Sequence, residues 1–194
     1  MRHLYPWRQE LGLFPAYLFL MKAKKDSSDV TARMKTASER LSRGDYSGAV
    51  DFLTPLVKQM PQHFQAQFLM GAAQLAAKRP ALALPCLLKA AALEPSSLQV
   101  LSNLGICYKN LGDLKLSMQY HKTTVDINPT YAKGYFNMGI VYMERQEWLS
   151  AIGNFTTAIE YQNKYSEAYI NISNCLYQLK KGGFKSEVQH PGFQ

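Results

Sequence analysis

The sequence predicts an all-α repeat protein, a solenoid of stacked antiparallel helix pairs about four and a half pairs long. One 34-residue unit is written twice in succession, from Leu98 to Tyr131 and from Ala132 to Tyr165. In register, Leu101 stands over Tyr135, Asn103 over Asn137, Leu104 over Met138, Gly105 over Gly139, Tyr108 over Tyr142, and His121 over Phe155. Pro61, Pro95 and Pro129 fall 34 residues apart and carry the same period backwards. Within a unit, two apolar stripes at helical spacing flank a turn: Leu101, Leu104 and Tyr108, then Leu114, Met118, His121 and Val125, with Gly112 and Asp113 between. One such pair cannot bury its apolar face alone, so neighbouring units supply the core.

The elements follow in order. Residues 1–29 precede the repeats. Their apolar run 11–21 has basic flanks, is interrupted by Pro15 and is too short to span a bilayer as a helix. It reads as an end segment packed on the first repeat, as a targeting or membrane-surface element (a mitochondrial presequence among them), or as disordered chain. Residues 22–29 read as a linker, with Ser28 or Asp29 as helix cap. The repeat domain spans 30–180. Unit 30–63 places its first helix near 30–43 and its second near 46–59, where Pro55 should kink or shorten the helix by removing a hydrogen bond. In unit 64–97, Pro80 suits a helix start, while Pro85 should delay or bend the first turn. Units 98–131 and 132–165 are the strongest. A partial unit, 166–180, supplies one helix, in which Tyr169, Ile172 and Leu176 should pack back on the fourth unit and leave Ile170 and Tyr177 exposed. Residues 181–194 form a polar tail without a second helix.

These residues resemble the tetratricopeptide repeat family: a large residue at the fourth place, Gly at the eighth, Tyr at the eleventh, small residues at the twentieth and twenty-seventh, Pro at the thirty-second. The resemblance covers 30–180 and implies a right-handed superhelix whose first helices line a concave face. It implies protein or peptide partners and no cofactor.

Composition excludes other classes. Residues 1–63 hold about half of the Lys and Arg, the strong repeats are close to balanced, and no stripe of basic residues interleaved with aromatics appears, so no nucleic-acid partner is expected. No membrane partner is expected either. Cys86, Cys107 and Cys175 sit singly in helical stripes without zinc spacing, which favours a reducing compartment. The glycosylation sequons at Asn154 and Asn171 fall on predicted helices and read as chance matches. His3, His63, His121 and His190 have no nucleophile or carboxylate set in register with them, and no phosphate loop or metal spacing occurs, so the chain reads as non-catalytic.

The resemblance points the second, fifth, sixth, ninth and twelfth places of each first helix into the groove. From these come the candidate peptide-binding residues: Phe68, Asn103, Ile106, Lys133, Phe136, Asn137, Ile140, Asn171 and Asn174. An amide offers both a donor and an acceptor, as an extended peptide main chain requires at intervals. Asn103, Asn137 and Asn171 recur every 34 residues and resemble the asparagine ladder in the repeat region of O-linked N-acetylglucosamine transferases. The ladder also has a purely structural reading, in which each amide bridges adjacent helices. The apolar lining likewise could receive a terminal segment of this chain. A carboxylate clamp of the chaperone co-factor kind is incomplete, since Phe68, Ala72 and Asn137 occupy places where its other polar groups belong.

The expectation is a cytoplasmic protein-interaction adaptor that captures a peptide segment on the concave face. The competing one is a structural subunit of a larger assembly, ciliary, cytoskeletal or mitochondrial, docked through its ends or convex face.

Overall fold

The computed structural model describes residues 29–182, and the expectations for the N-terminal segment before 29 and the tail beyond 182 lie outside the described residues. The described chain is all helix and turn. The helices are α1 (29–42), α2 (Tyr46–Gln59), α3 (Phe64–Ala76), α4 (Pro80–Leu93), α5 (Leu98–Asn110), α6 (Leu114–Ile127), α7 (Ala132–Glu144), α8 (Trp148–Tyr161) and α9 (Ser166–Lys181). Odd-numbered helices are the first of each pair and even-numbered ones the second.

Local chemistry sets the boundaries. The Asp45 carboxylate accepts from the Gly48 N–H at 2.9 Å and that of Asp113 from the Leu116 N–H at 2.9 Å, so each satisfies a donor that a helix start leaves free. The turn inside every pair carries one residue in the left-handed region at the same place: Gly44 (φ 80°), Lys78 (φ 59°), Gly112 (φ 87°) and Gln146 (φ 61°). Glycine adopts this conformation without steric cost, whereas Lys78 and Gln146 adopt it at a cost of about 1 kcal/mol each.

Two proline expectations are corrected as to helix length and start. Pro55 lies inside α2 without shortening it, since α2 has the same 14 residues as α4, α6 and α8. Pro85 does not delay α4, which begins at Pro80. Both prolines sit on exposed positions, where water can solvate the carbonyl left without a donor. Asp29, expected as a possible cap, is already helical and pairs with Arg33 at 2.9 Å.

Packing alternates between two kinds of seam. Within a pair, a small residue of the first helix receives a large one of the second: Gly71 lies against Leu87, Gly105 against His121 and Gly139 against Phe155. A Cβ on Gly71 or Gly139 would stand 2.6 Å from the facing side chain, so only glycine admits these approaches unshifted. Between pairs, small clusters close each junction. Leu53 and Leu56 meet Ala66, Leu69 and Met70; Leu87 and Ala90 meet Val100 and Leu104; Met118 meets Met138 and Val141; Phe155 meets Ala168 and Cys175.

First helices of successive pairs touch one another, α3 with α5 and α5 with α7, and no contact of comparable extent joins successive second helices. The first helices are therefore crowded toward the inside of the curve.

α9 departs from expectation. Ala168 and Cys175 are fully buried and Ile172 packs against the Phe155 cluster, but Tyr169 (53% exposed) and Leu176 (54% exposed) do not pack back on the fourth unit. They share the outward side of α9 with Ile170 and Tyr177, because the face that turns toward α8 is Ala168, Ile172 and Cys175, at spacings of four and three.

Candidate peptide-binding face

The candidate residues lie on α3, α5, α7 and α9, the inner helices. They are not equivalent. Asn137 is buried, and its Nδ2 donates to the Ser102 hydroxyl at 3.0 Å, tying α7 to α5. Asn103 and Asn171 are half-buried, and among the described residues neither amide is engaged in a hydrogen bond. Asn174 is exposed. The bridging alternative thus holds at Asn137, while the other two rungs face outward with their amides free.

The apolar candidates divide in the same way. Phe136 stacks on Tyr165 with ring centroids 4.7 Å apart and meets Phe155 at 5.5 Å, so one face of the ring closes the core. Phe68 stacks on Phe64 at 6.2 Å. Ile106 and Ile140 are half-buried, with part of each side chain open to the face. Lys133 is exposed. Lys109, whose charge like that of Lys133 acts on His121, has its ammonium 3.9 Å from Glu144.

Beneath these residues lies a polar strip in the third pair. Ser102, Ser117, His121 and Thr124 are buried, and the Thr124 hydroxyl donates to the His121 carbonyl at 2.7 Å. The imidazole of His121 has its Nδ1 unpartnered among the described residues. Burial pushes its pKa down to about 4, and the charges of Lys133 and Lys109 push the same way. The ring is therefore neutral at physiological pH.

Tyr131 and Tyr165 belong to this face and were missed in the sequence. Burial raises the Tyr131 phenol against a hydrogen bond with Ser102 that favours the phenolate. Burial pushes Tyr165 up to about 12, helped by the Glu167 carboxylate and by Tyr131, so it stays a protonated phenol. Their signal was present, since both hold the thirty-fourth place of a unit.

Among the described residues no group of three or more His, Cys, Asp or Glu could hold a metal ion, and no helix is long and apolar enough to cross a membrane.

Residues 34–97 and 98–131 match the profiles of the tetratricopeptide repeat, together covering half of the chain. The chain belongs to the tetratricopeptide repeat family. Among curated proteins, this tetratricopeptide repeat chain is 26% identical over 87 residues to the Hsp70-Hsp90 organizing protein of Triticum aestivum, covering 45% of this chain and 15% of that one. It is 23% identical over 157 residues to the probable UDP-N-acetylglucosamine–peptide N-acetylglucosaminyltransferase SPINDLY of Hordeum vulgare, covering 77% and 17%. The chain thus spans about a sixth of the length of these curated relatives. Among solved structures, a MamA RS-1 double mutant superposes with a TM-score of 0.63 at 26% identity, over 73% of this chain and 79% of that one.

Proposed function

We propose that the chain is a non-catalytic adaptor that captures an extended peptide segment along α3, α5, α7 and α9. The observation that carries this reading is the pair of half-buried asparagines, Asn103 and Asn171, whose amides are not engaged by the described residues. They flank the Ile106, Phe136 and Ile140 surface. An amide that serves only to bridge helices is spent, as Asn137 is on Ser102; a free, half-buried one keeps a donor and an acceptor for a peptide main chain. Apolar pockets around Phe68, Ile106 and Ile140 would then select side chains, and Lys133 with Asn174 would line the rim.

The relative from wheat is named for organising Hsp70 and Hsp90, which supports a protein partner without identifying it. Chaperone tails are not the favoured ligand, since the polar places their capture needs are filled by Phe68 and Ala72 and by Asn137, which is tied to Ser102. Free thiols at Cys86, Cys107 and Cys175 fit a reducing compartment such as the cytoplasm.

The test is selection of a random displayed peptide library on the full chain, followed by binding of the selected peptides to an Asn103→Ala, Asn171→Ala variant and to Ile106→Glu. Affinity should fall about tenfold or more, the loss expected when about 1.4 kcal/mol of contacts is removed. Peptides that bind all three proteins equally would place capture elsewhere and overturn the reading.

A further inference from the structure

Among the described residues, α9 is covered on one side only. Toward α8 it presents Ala168 and Cys175, both fully buried, and Ile172. Away from α8 it presents Tyr169 (53% exposed), Ile170 (60%), Leu176 (54%) and Tyr177 (64%), with Ser173 among them. In register with α7, Tyr169 stands at the place of Tyr135, Ile170 at that of Phe136 and Ser173 at that of Gly139. In the fourth pair that same face receives an antiparallel helix: Tyr135 meets Tyr161 at 5.6 Å, Phe136 meets Phe155 at 5.5 Å, and Gly139 lies against Phe155. The uncovered side of α9 is thus the side on which every preceding first helix accepts a helix running the other way.

The charges of α9 say which helix fits. Glu167 lies in its first turn, and Lys180 and Lys181 in its last. Its apolar face repeats at seven residues, Tyr169 with Leu176 and Ile170 with Tyr177, as a helix-to-helix seam requires. Two copies of α9 laid antiparallel and crossing at Ser173 set Tyr169 against Leu176 of the second copy and Ile170 against Tyr177 of the second copy. A two-fold axis perpendicular to the helices keeps each flank facing its own equivalent. Glu167 and Lys181 share a flank, so each Glu167 meets Lys181 of the second copy, and this happens twice. Ser173 at the crossing is small enough for close approach, as the glycines are within the pairs. The face is self-complementary in shape and in charge.

We infer that α9 is a self-association helix through which two copies of this chain form an antiparallel, two-fold dimer. Two tyrosines, an isoleucine and a leucine from each copy place the contact at the small end of specific interfaces, which bury about 800 Å² per partner. The dimer is accordingly reversible and dependent on concentration. This inference is independent of the peptide-binding reading, because it uses the outward side of α9 and none of the residues on α3, α5 or α7.

Sedimentation velocity of the full chain over a concentration series tests it. The expected result is a monomer–dimer equilibrium, weakened at least about tenfold, or about 1.4 kcal/mol, by Tyr177→Glu. Glu167→Lys and Lys181→Glu should each weaken it, and the two combined in one chain should restore it, since the exchanged pair again attracts. Circular dichroism checks that helicity is kept, and Ile170→Glu on the same face serves in place of Tyr177→Glu if it is not. A chain that stays monomeric throughout overturns the inference, as does a dimer unmoved by Tyr177→Glu or by the charge exchange. Deletion of residues 183–194 that converts a monomer into a dimer also overturns it, since the chain's own tail would then be the occupant of the face.

Discussion

The amide of Asn137 reaches across from α7 to the Ser102 hydroxyl on α5, 3.0 Å away and thirty-five places earlier in the chain. Both residues are buried, so losing Ser102 strands the Asn137 amide, and losing Asn137 breaks the buried tie between α5 and α7 and leaves Ser102 with its Tyr131 hydrogen bond alone. Asn137→Ala should therefore cost about 1–3 kcal/mol in urea unfolding. Asn103→Ala and Asn171→Ala should each stay within about 0.5 kcal/mol of the parent. Equal losses at all three positions would mean that the rungs are structurally equivalent after all.

The protonation of His121 links stability to acidity. Its folded pKa, about 4, lies below the ordinary value of 6.5, so the unfolded chain binds a proton that the folded chain refuses. Stability is full above about pH 6.5 and falls as the pH drops toward 4, by at most about 3 kcal/mol from this group. His121→Phe should flatten that slope, because Phe155 already shows a phenyl ring seated against a glycine in the equivalent place. Thermal melts at pH 7 and pH 5 measure it, and parallel losses in the two proteins would rule the histidine out as the cause.

Gly139 and Gly153 offer opposite outcomes for one chemical change. A Cβ at Gly139 would stand 2.6 Å from the Phe155 ring, and Gly139→Ala should cost about 1–3 kcal/mol. At Gly153, on α8, nothing lies within 4 Å, and Gly153→Ala should gain about 0.5–1 kcal/mol by restricting the unfolded chain. Chemical denaturation of both variants gives the comparison; effects of the same sign would contradict the packing described for the pair.

Pro55 is exposed inside α2, and Pro55→Ala returns a donor to the Asp51 carbonyl without opening a cavity. The substitution should stabilise, by up to about 3 kcal/mol. A lower melting temperature would show that the ring contributes packing which outweighs the missing hydrogen bond.

Much of this arrangement could be read from residues alone, and the reasons are physical. Gly71, Gly105 and Gly139 recur at 34 residues because each must admit a neighbouring helix, so period and packing are one signal. The helix starts at Asp45 and Asp113 are legible because a carboxylate there satisfies free N–H groups. Periodicity does not say what stands opposite a side chain. Asn103, Asn137 and Asn171 share a register position, yet only Asn137 finds a serine within reach. Tyr169 and Leu176 look like core because their equivalents in α7 face α8, and among the described residues no helix stands in that place against α9. Pro55 and Pro85 looked disruptive because the side of the helix they occupy depends on where it begins.

Extensive contacts among α2 to α9 join each helix to the next in the chain, and the inner contacts reach only one helix further. Among the described residues no extensive contact ties α2 to α9, an arrangement mechanically like a short spring. Pulling or bending loads each junction in turn, and the weakest opens before the others are disturbed. Amide hydrogens should accordingly exchange as a gradient, slowest in α5 and α6 and fastest toward α1 and α9, in place of the single cooperative opening of a closed globular core.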